Sequence, residues 1–182
     1  GASQPQHYQF MKDQYPEIYA KIKEAVKSGN WEVQGGMWVE ADCNLISGES
    51  MVRQLLHGKN FFKDEFDIVV DNLWLPDVFG YSAALPQILK RAGVNYFLTQ
   101  KLSWSQFNDF PHHTFNWRGI DGTEILTHFP PENTYNSELD TEFLLPAQKG
   151  FKEKDKLNEF ISLFGVGDGG GGPKPENIEL GR

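Results

Sequence analysis

The sequence predicts an α/β fold, a parallel sheet with flanking helices. Three observations carry this reading. Short apolar runs of strand length alternate with stretches of helical period, the spacing between runs is long enough for helical crossovers, and polar or acidic residues follow the ends of the runs.

The elements are predicted in order as follows. Residues 4–28 have helical period, with Pro16 suited to a first turn, Ile18, Tyr19, Ile22 and Val26 on one face, and Gly29 as a stop. Residues 31–39 then have the composition of a strand. In the next helix, 47–66, Ser47 and Ser50 compete for the N-cap, and Met51, Leu55, Phe62 and Phe66 form the apolar stripe. Residues 69–75 form a strand, Ser82 caps a helix that ends at Gly93, and residues 94–99 form another strand. Two short strands, 113–118 and 124–128, bracket an Asp121-Gly122 hairpin turn. A polar helical stretch, a short strand at 160–164 and the glycine-rich run 165–173 complete the pattern.

Composition narrows the function. Seventeen Lys and Arg stand against 25 Asp and Glu, a net charge of −8, and no basic stripe interrupts the acidic balance, which excludes nucleic acid as the partner class. A neutral or cationic small substrate suits this charge better. No apolar run approaches the roughly 18 residues of a membrane span. Cys43 is the single cysteine, so the chain forms no internal disulfide, and its start has no charged region followed by an apolar one. A reducing, cytoplasmic location is expected.

Residues just beyond the predicted strands are the candidate site, because loops converge at the carboxyl ends of parallel strands. Glu40 and Asp42 follow Trp38 and Val39, Asp77 follows Leu75, and Lys101 follows Thr99; His128 ends its own strand, and Asp168 lies in the glycine run. Each has a plainer reading. An Asp after a strand also serves as a cap or turn residue. The glycine run is open to a phosphate cradle, a flexible loop or a close backbone approach to a ligand, and it lacks the ending of a P-loop. Trp38, Trp74, Trp104 and Trp117 have core positions more readily than sugar-platform ones, His112 and His113 suit turn bonding, and Cys43 has no histidine partner.

Six ordered segments carry a resemblance: GGMWVEADCNLISGESMVRQ, LWLPDVFGYSAALPQIL, FLTQKLSW, FPHHTFNW, ILTHFPP and FGVGDGGGGP. Together they resemble the catalytic domain of glycoside hydrolase family 38 α-mannosidases, in particular the cytosolic and bacterial branch. The resemblance implies a retaining exo-α-mannosidase built on a seven-stranded (β/α) barrel, acting on mannose-containing oligosaccharides. It also implies one divalent metal, zinc or in this branch cobalt, that grips mannose hydroxyls. The aspartate of the family's PDxFG motif falls on Asp77, as nucleophile and metal ligand, and that of its GDGGGG motif falls on Asp168, as acid/base. Trp38, Glu40 and Asp42 occupy its WVExD segment and would line the pocket with Tyr81, Lys101 and His128.

Two departures shape the expectation. Ala41 and Ile46 stand where the family has proline, and His7, His57, His112, His113 and His128 offer no His-x-Asp pair, which leaves Asp77 as the one metal ligand. Residues 1–182 are therefore expected to be a central piece of a partial catalytic barrel domain with no internal boundary, the other metal ligands lying outside it. Such a chain would be inactive alone, with open sheet edges available for self-association. A non-catalytic mannose-binding piece and a metal-dependent polysaccharide deacetylase are the alternatives.

Overall fold

The computed structural model describes residues 2–167 and 171–181. Two helices, α1 (Pro5–Gln14) and α2 (Pro16–Lys27), are followed by α3 (Gly48–Phe66), β1 (Asn72–Trp74), α4 (Leu85–Arg91) and β2 (Tyr96–Leu98). A 3₁₀ turn (Lys101–Trp104) leads to β3 (Thr114–Arg118) and β4 (Glu124–His128), then α5 (Thr141–Gly150) and α6 (Pro175–Leu180).

The four strands form one mixed sheet in the order β1-β2-β4-β3. β2 pairs in parallel with β1 and β4, while β3 runs antiparallel to β4. This corrects the expected portion of a seven-stranded (β/α) barrel: the sheet is small, mostly parallel and packed with helices, and among the described residues it does not close. The physical reason lies in the hairpin. Gly119 N donates to Thr123 O at 2.8 Å and Gly122 adopts φ 84°, so the chain reverses where a barrel unit would cross over through a helix.

Other local expectations also shift. The helix predicted over 4–28 divides because Pro16 has no N–H and restricts Tyr15, which takes φ −137°, ψ 61°. Residues 31–39 are not a strand: Val33 makes a lone bridge to Ala2, and Gly35 and Gly36 turn the chain at φ 102° and 71°. No strand forms over 160–164. Ser47 is the cap of α3, accepting from Ser50 N, whereas α4 begins after Ala84 and Ser82 accepts from Ala84 N one turn earlier.

Two apolar clusters hold the layers together. Leu73, Phe97 and Ile125 face one side of the sheet and pack against Met51 and Leu55 of α3 and Leu85 and Leu89 of α4. Phe61 and Phe62, farther along α3, turn to the other cluster with Tyr8, Tyr19, Val33 and Val70. Between these two faces Gly58 brings α3 onto the backbone of residues 36–38, where a Cβ would collide with Gly36 O, Met37 C and Trp38 N. No helix among the described residues is long and apolar enough to cross a membrane.

Gly58→Ala is expected to destabilise the chain by about 1–3 kcal/mol, since overpacking against backbone outweighs the roughly 1 kcal/mol that alanine gains in a helix. Urea unfolding of both forms checks this; an unchanged or raised midpoint contradicts the close approach.

Candidate active site

The site is built on the exits of β1 and β2. Leu75 N donates to Leu98 O at 3.0 Å, extending the strand pairing by one residue, and Leu75 and Val78 are buried. Of the two residues between them, Pro76 is half-buried and Asp77 projects from the core with its side chain 46% exposed. Below it the Tyr81 hydroxyl lies 3.0 Å from Leu75 O, 2.9 Å from Val78 O and 2.6 Å from Thr99 Oγ1. Its single proton serves the two carbonyls while its oxygen accepts from Thr99, so the phenol ties both strand exits together. Burial holds the Tyr81 hydroxyl's pKa well above the ordinary range. Gly80, at φ 135°, lies where a side chain would strike the Asn44 amide, which donates to Phe79 O.

Lys101 reaches Asp77 from the neighbouring exit. Its Nζ lies 2.8 Å from Asp77 Oδ1, and its side chain is only 3% exposed. The same ammonium lies 3.3 Å from the Trp104 ring centroid, 4.9 Å from Phe79 and 5.1 Å from Tyr135. A desolvated cation is stabilised by aromatic faces and one carboxylate. Lys101 and Trp104 stand three residues apart in a 3₁₀ turn, whose period stacks them on one side. Trp104, expected in the core, is 60% exposed.

Asp77 opens into a cleft of about 460 Å³ that also takes in Ser3, Glu40, Trp74, Ser162 and Gly167. That is within the size range of small-molecule sites. Two larger hollows, about 530 Å³ over the half-open sheet face and about 540 Å³ between α3 and α4, do not include Asp77. Glu40 accepts from Ser3 Oγ at 2.6 Å. Its pKa is raised, chiefly by burial and further by the charge of Asp77, with the Ser3 bond opposing. Ser162 Oγ is buried with no hydrogen-bond partner among the described residues.

The structure thus gathers Asp77 and Glu40 in one cleft, with Lys101 against Asp77 and Tyr81 beneath it. The other candidates have different surroundings. Trp38 donates its indole N–H to Gln6 Oε1 at 2.9 Å and packs edge-on against Phe61. Asp42 accepts from Asn44 N and Leu45 N at 2.8 and 2.7 Å, closing an exposed turn. His128 lines the hollow over the sheet face, two strands from Asp77. Asp168 lies outside the described residues. Trp104 was read as a core residue, although its three-residue spacing from Lys101 was an available signal; Tyr135 and Ser3 were not singled out by sequence reasoning and reach the site only through tertiary packing.

Among the described residues no group of three or more His, Cys, Asp or Glu side chains comes together as a metal site. With Asp77 Oδ1 already against Lys101, the described residues alone do not fit a divalent metal.

The family described as "Glycosyl hydrolases family 38 N-terminal domain" matches residues 1–182. The chain belongs to this family. It is 51% identical over 177 residues to "Alpha-mannosidase G" of Dictyostelium discoideum and 50% identical over 171 residues to "Alpha-mannosidase 2C1" of Homo sapiens. These alignments cover 97% and 94% of this chain but 16% of each relative, so the chain spans about a sixth of their length. Among solved structures it is similar to an α-mannosidase from Enterococcus faecalis V583, with a TM-score of 0.67 and 22% identity over 94% of this chain and 20% of that one. That likeness concerns the fold alone.

The ion pair is asymmetric, and so are its predicted variants. Asp77→Ala leaves a buried ammonium without its anion and is expected to lower stability by about 1–3 kcal/mol, whereas Lys101→Met leaves a carboxylate that water already reaches and is expected to change it by less than about 1 kcal/mol. Equal losses in urea unfolding contradict this ordering.

His128 generates a pH dependence. Its pKa is pushed down from 6.5 to about 4, first by burial and then by nearby His113, with Glu153 opposing. The unfolded chain therefore binds a proton between these values that the folded chain does not, so stability falls as pH falls from about 6.5 to 4, by up to about 1.4 kcal/mol per unit. Unfolding midpoints measured across this window are expected to show a shallower slope in His128→Gln than in the unsubstituted chain.

Proposed function

We propose that the complete enzyme carrying this chain is a metal-dependent, retaining exo-α-mannosidase that removes terminal α-linked mannose from oligosaccharides in the cytoplasm. The observation that carries this reading is the placement of Asp77 in a family 38 chain. It stands at a strand exit, in a cleft shared with Glu40, and Gly167, the neighbour of Asp168, lines the same cleft.

Asp77 attacks the anomeric carbon as the bond to the leaving oxygen breaks, and Asp168 gives that oxygen a proton. Water, deprotonated by Asp168, then attacks the same carbon and releases Asp77, so two inversions return the original configuration. Lys101, 2.8 Å from Asp77 Oδ1, orients the carboxylate for the first step and stabilises it as leaving group in the second. Glu40, with its elevated pKa, and Ser162 supply hydrogen bonds to sugar hydroxyls. Trp38, Asp42 and Tyr81 shape the walls from behind. A divalent metal, zinc or cobalt, would in the complete enzyme be held by ligands outside this chain, to which Asp77 would add one carboxylate oxygen, and would grip sugar hydroxyls there. The open edges of β1 and β3 are the surfaces for self-association of the isolated chain.

A fluorinated mannosyl fluoride that traps the covalent intermediate is expected to label the peptide holding Asp77, and Asp77→Asn in the complete enzyme to lower kcat by about 10³- to 10⁶-fold. Label on another carboxylate, or near-normal turnover by Asp77→Asn, overturns the assignment. Asp168→Asn is expected to lose about 10²- to 10⁴-fold on alkyl mannosides and far less on 2,4-dinitrophenyl mannoside, whose leaving group needs no proton.

A further inference from the structure

The resemblance places His128 among the sugar-binding residues, but its ring is engaged elsewhere. Ile161 N donates to His128 Nε2 at 3.3 Å, and Nδ1 lies 2.8 Å from Thr114 Oγ1. A backbone N–H only donates, so Nε2 carries no proton; the neutral ring therefore holds its proton on Nδ1 and gives it to Thr114. Thr114 is itself fixed, opposite His128 in the β3–β4 register and donating its N–H to Glu153 Oε2 at 3.0 Å. Phe151 packs edge-on to the ring from the other side.

Ile161 begins the arm that runs to the cleft. Beyond it, Ser137 N donates to Leu163 O at 2.9 Å, and Ser162, Leu163 and Gly167 line the cleft beside Asp77. At its far end Gly167 lies so close to Tyr135 and Asn136 that a Cβ would stand 2.6 and 2.8 Å from their atoms. The arm is thus fixed at its start by His128, in its middle by Ser137 and at its end by the Tyr135 that also faces Lys101.

We propose that His128 is a positioning residue: its neutral imidazole, set in one tautomer by Thr114, receives the Ile161 amide and fixes where the arm 161–167 enters the Asp77 cleft. The consequence for catalysis rests on the reading of Asp168 as acid/base, since Asp168 directly follows this arm in sequence. The positioning itself does not rest on that reading.

The test therefore has two arms. In the full chain, amide hydrogen exchange at Ile161 is expected to quicken about five- to tenfold in His128→Ala, the worth of one hydrogen bond, and to be restored in His128→Gln, whose side-chain oxygen can accept from the same N–H. The ¹⁵N shifts of the unsubstituted ring are expected to show a proton on Nδ1 and none on Nε2. Unchanged exchange in His128→Ala, or a proton on Nε2, overturns the proposal. In the complete enzyme, His128→Ala is expected to lower kcat at least about tenfold on alkyl mannosides and only two- to threefold on 2,4-dinitrophenyl mannoside, with His128→Gln in between. Equal losses on both substrates overturn the catalytic consequence. Failure of Asp168→Asn to show the same split would instead remove the acid/base reading, leaving the exchange result to judge His128.

Discussion

The parallel pairing of β1 with β2 is the constraint on which the site depends. Its last pair is Trp74 with Leu98, and Asp77 and Lys101 both stand three residues beyond it. Two chains that leave adjacent parallel strands in the same direction and at the same level bring equivalent positions side by side. The ion pair is therefore set by register, and the Tyr81–Thr99 hydrogen bond locks the two exits at that level. The register in turn needs the buried face of the sheet: Leu73 and Phe97 lie against α3 and α4, and slipping by one residue would turn them outward.

The second layer of the design is electrostatic. Lys101 is buried among aromatic rings while its partner is half in water. Coulomb attraction acts more strongly where water is excluded, so the pair is held from the lysine's side, and the carboxylate keeps a wetted face toward the cleft. Glu40 experiences the opposite balance. Burial and the charge of Asp77 both disfavour its anion.

Much of this was legible in the sequence because local chemistry dictated it. The Asp121-Gly122 turn, the Ser47 cap and the apolar stripe of α3 are local codes, and each appears as expected. Asp77 was a candidate because an apolar run ended in Pro-Asp and because the motif around it is distinctive, and the structure places it at a strand exit facing a cleft. What failed was tertiary. Residues 31–39 had strand composition, but Gly35 packs against Ser3 and Gly36 against Asn72 O, so the segment bends to admit α3. The barrel was inferred from likeness, while the antiparallel β3 was already implied by the same Asp-Gly turn. His128 sits at a strand end as expected, yet its hydrogen bonds run to Thr114 and Ile161, a choice of partner that no spacing could reveal.

Cys43 is a quiet feature with a practical consequence. It is 2% exposed, and burial, aided by nearby Asp42, pushes its thiol up to about 11. At pH 7 about one thiol in 10⁴ is therefore ionised, and only the thiolate is reactive. The chain's single cysteine is thus shielded by burial and held as the thiol. A thiol placed by design on the exposed arm or beside Trp104 would stand alone as a reactive handle, and a dye or spin label could be attached there without first removing the native cysteine.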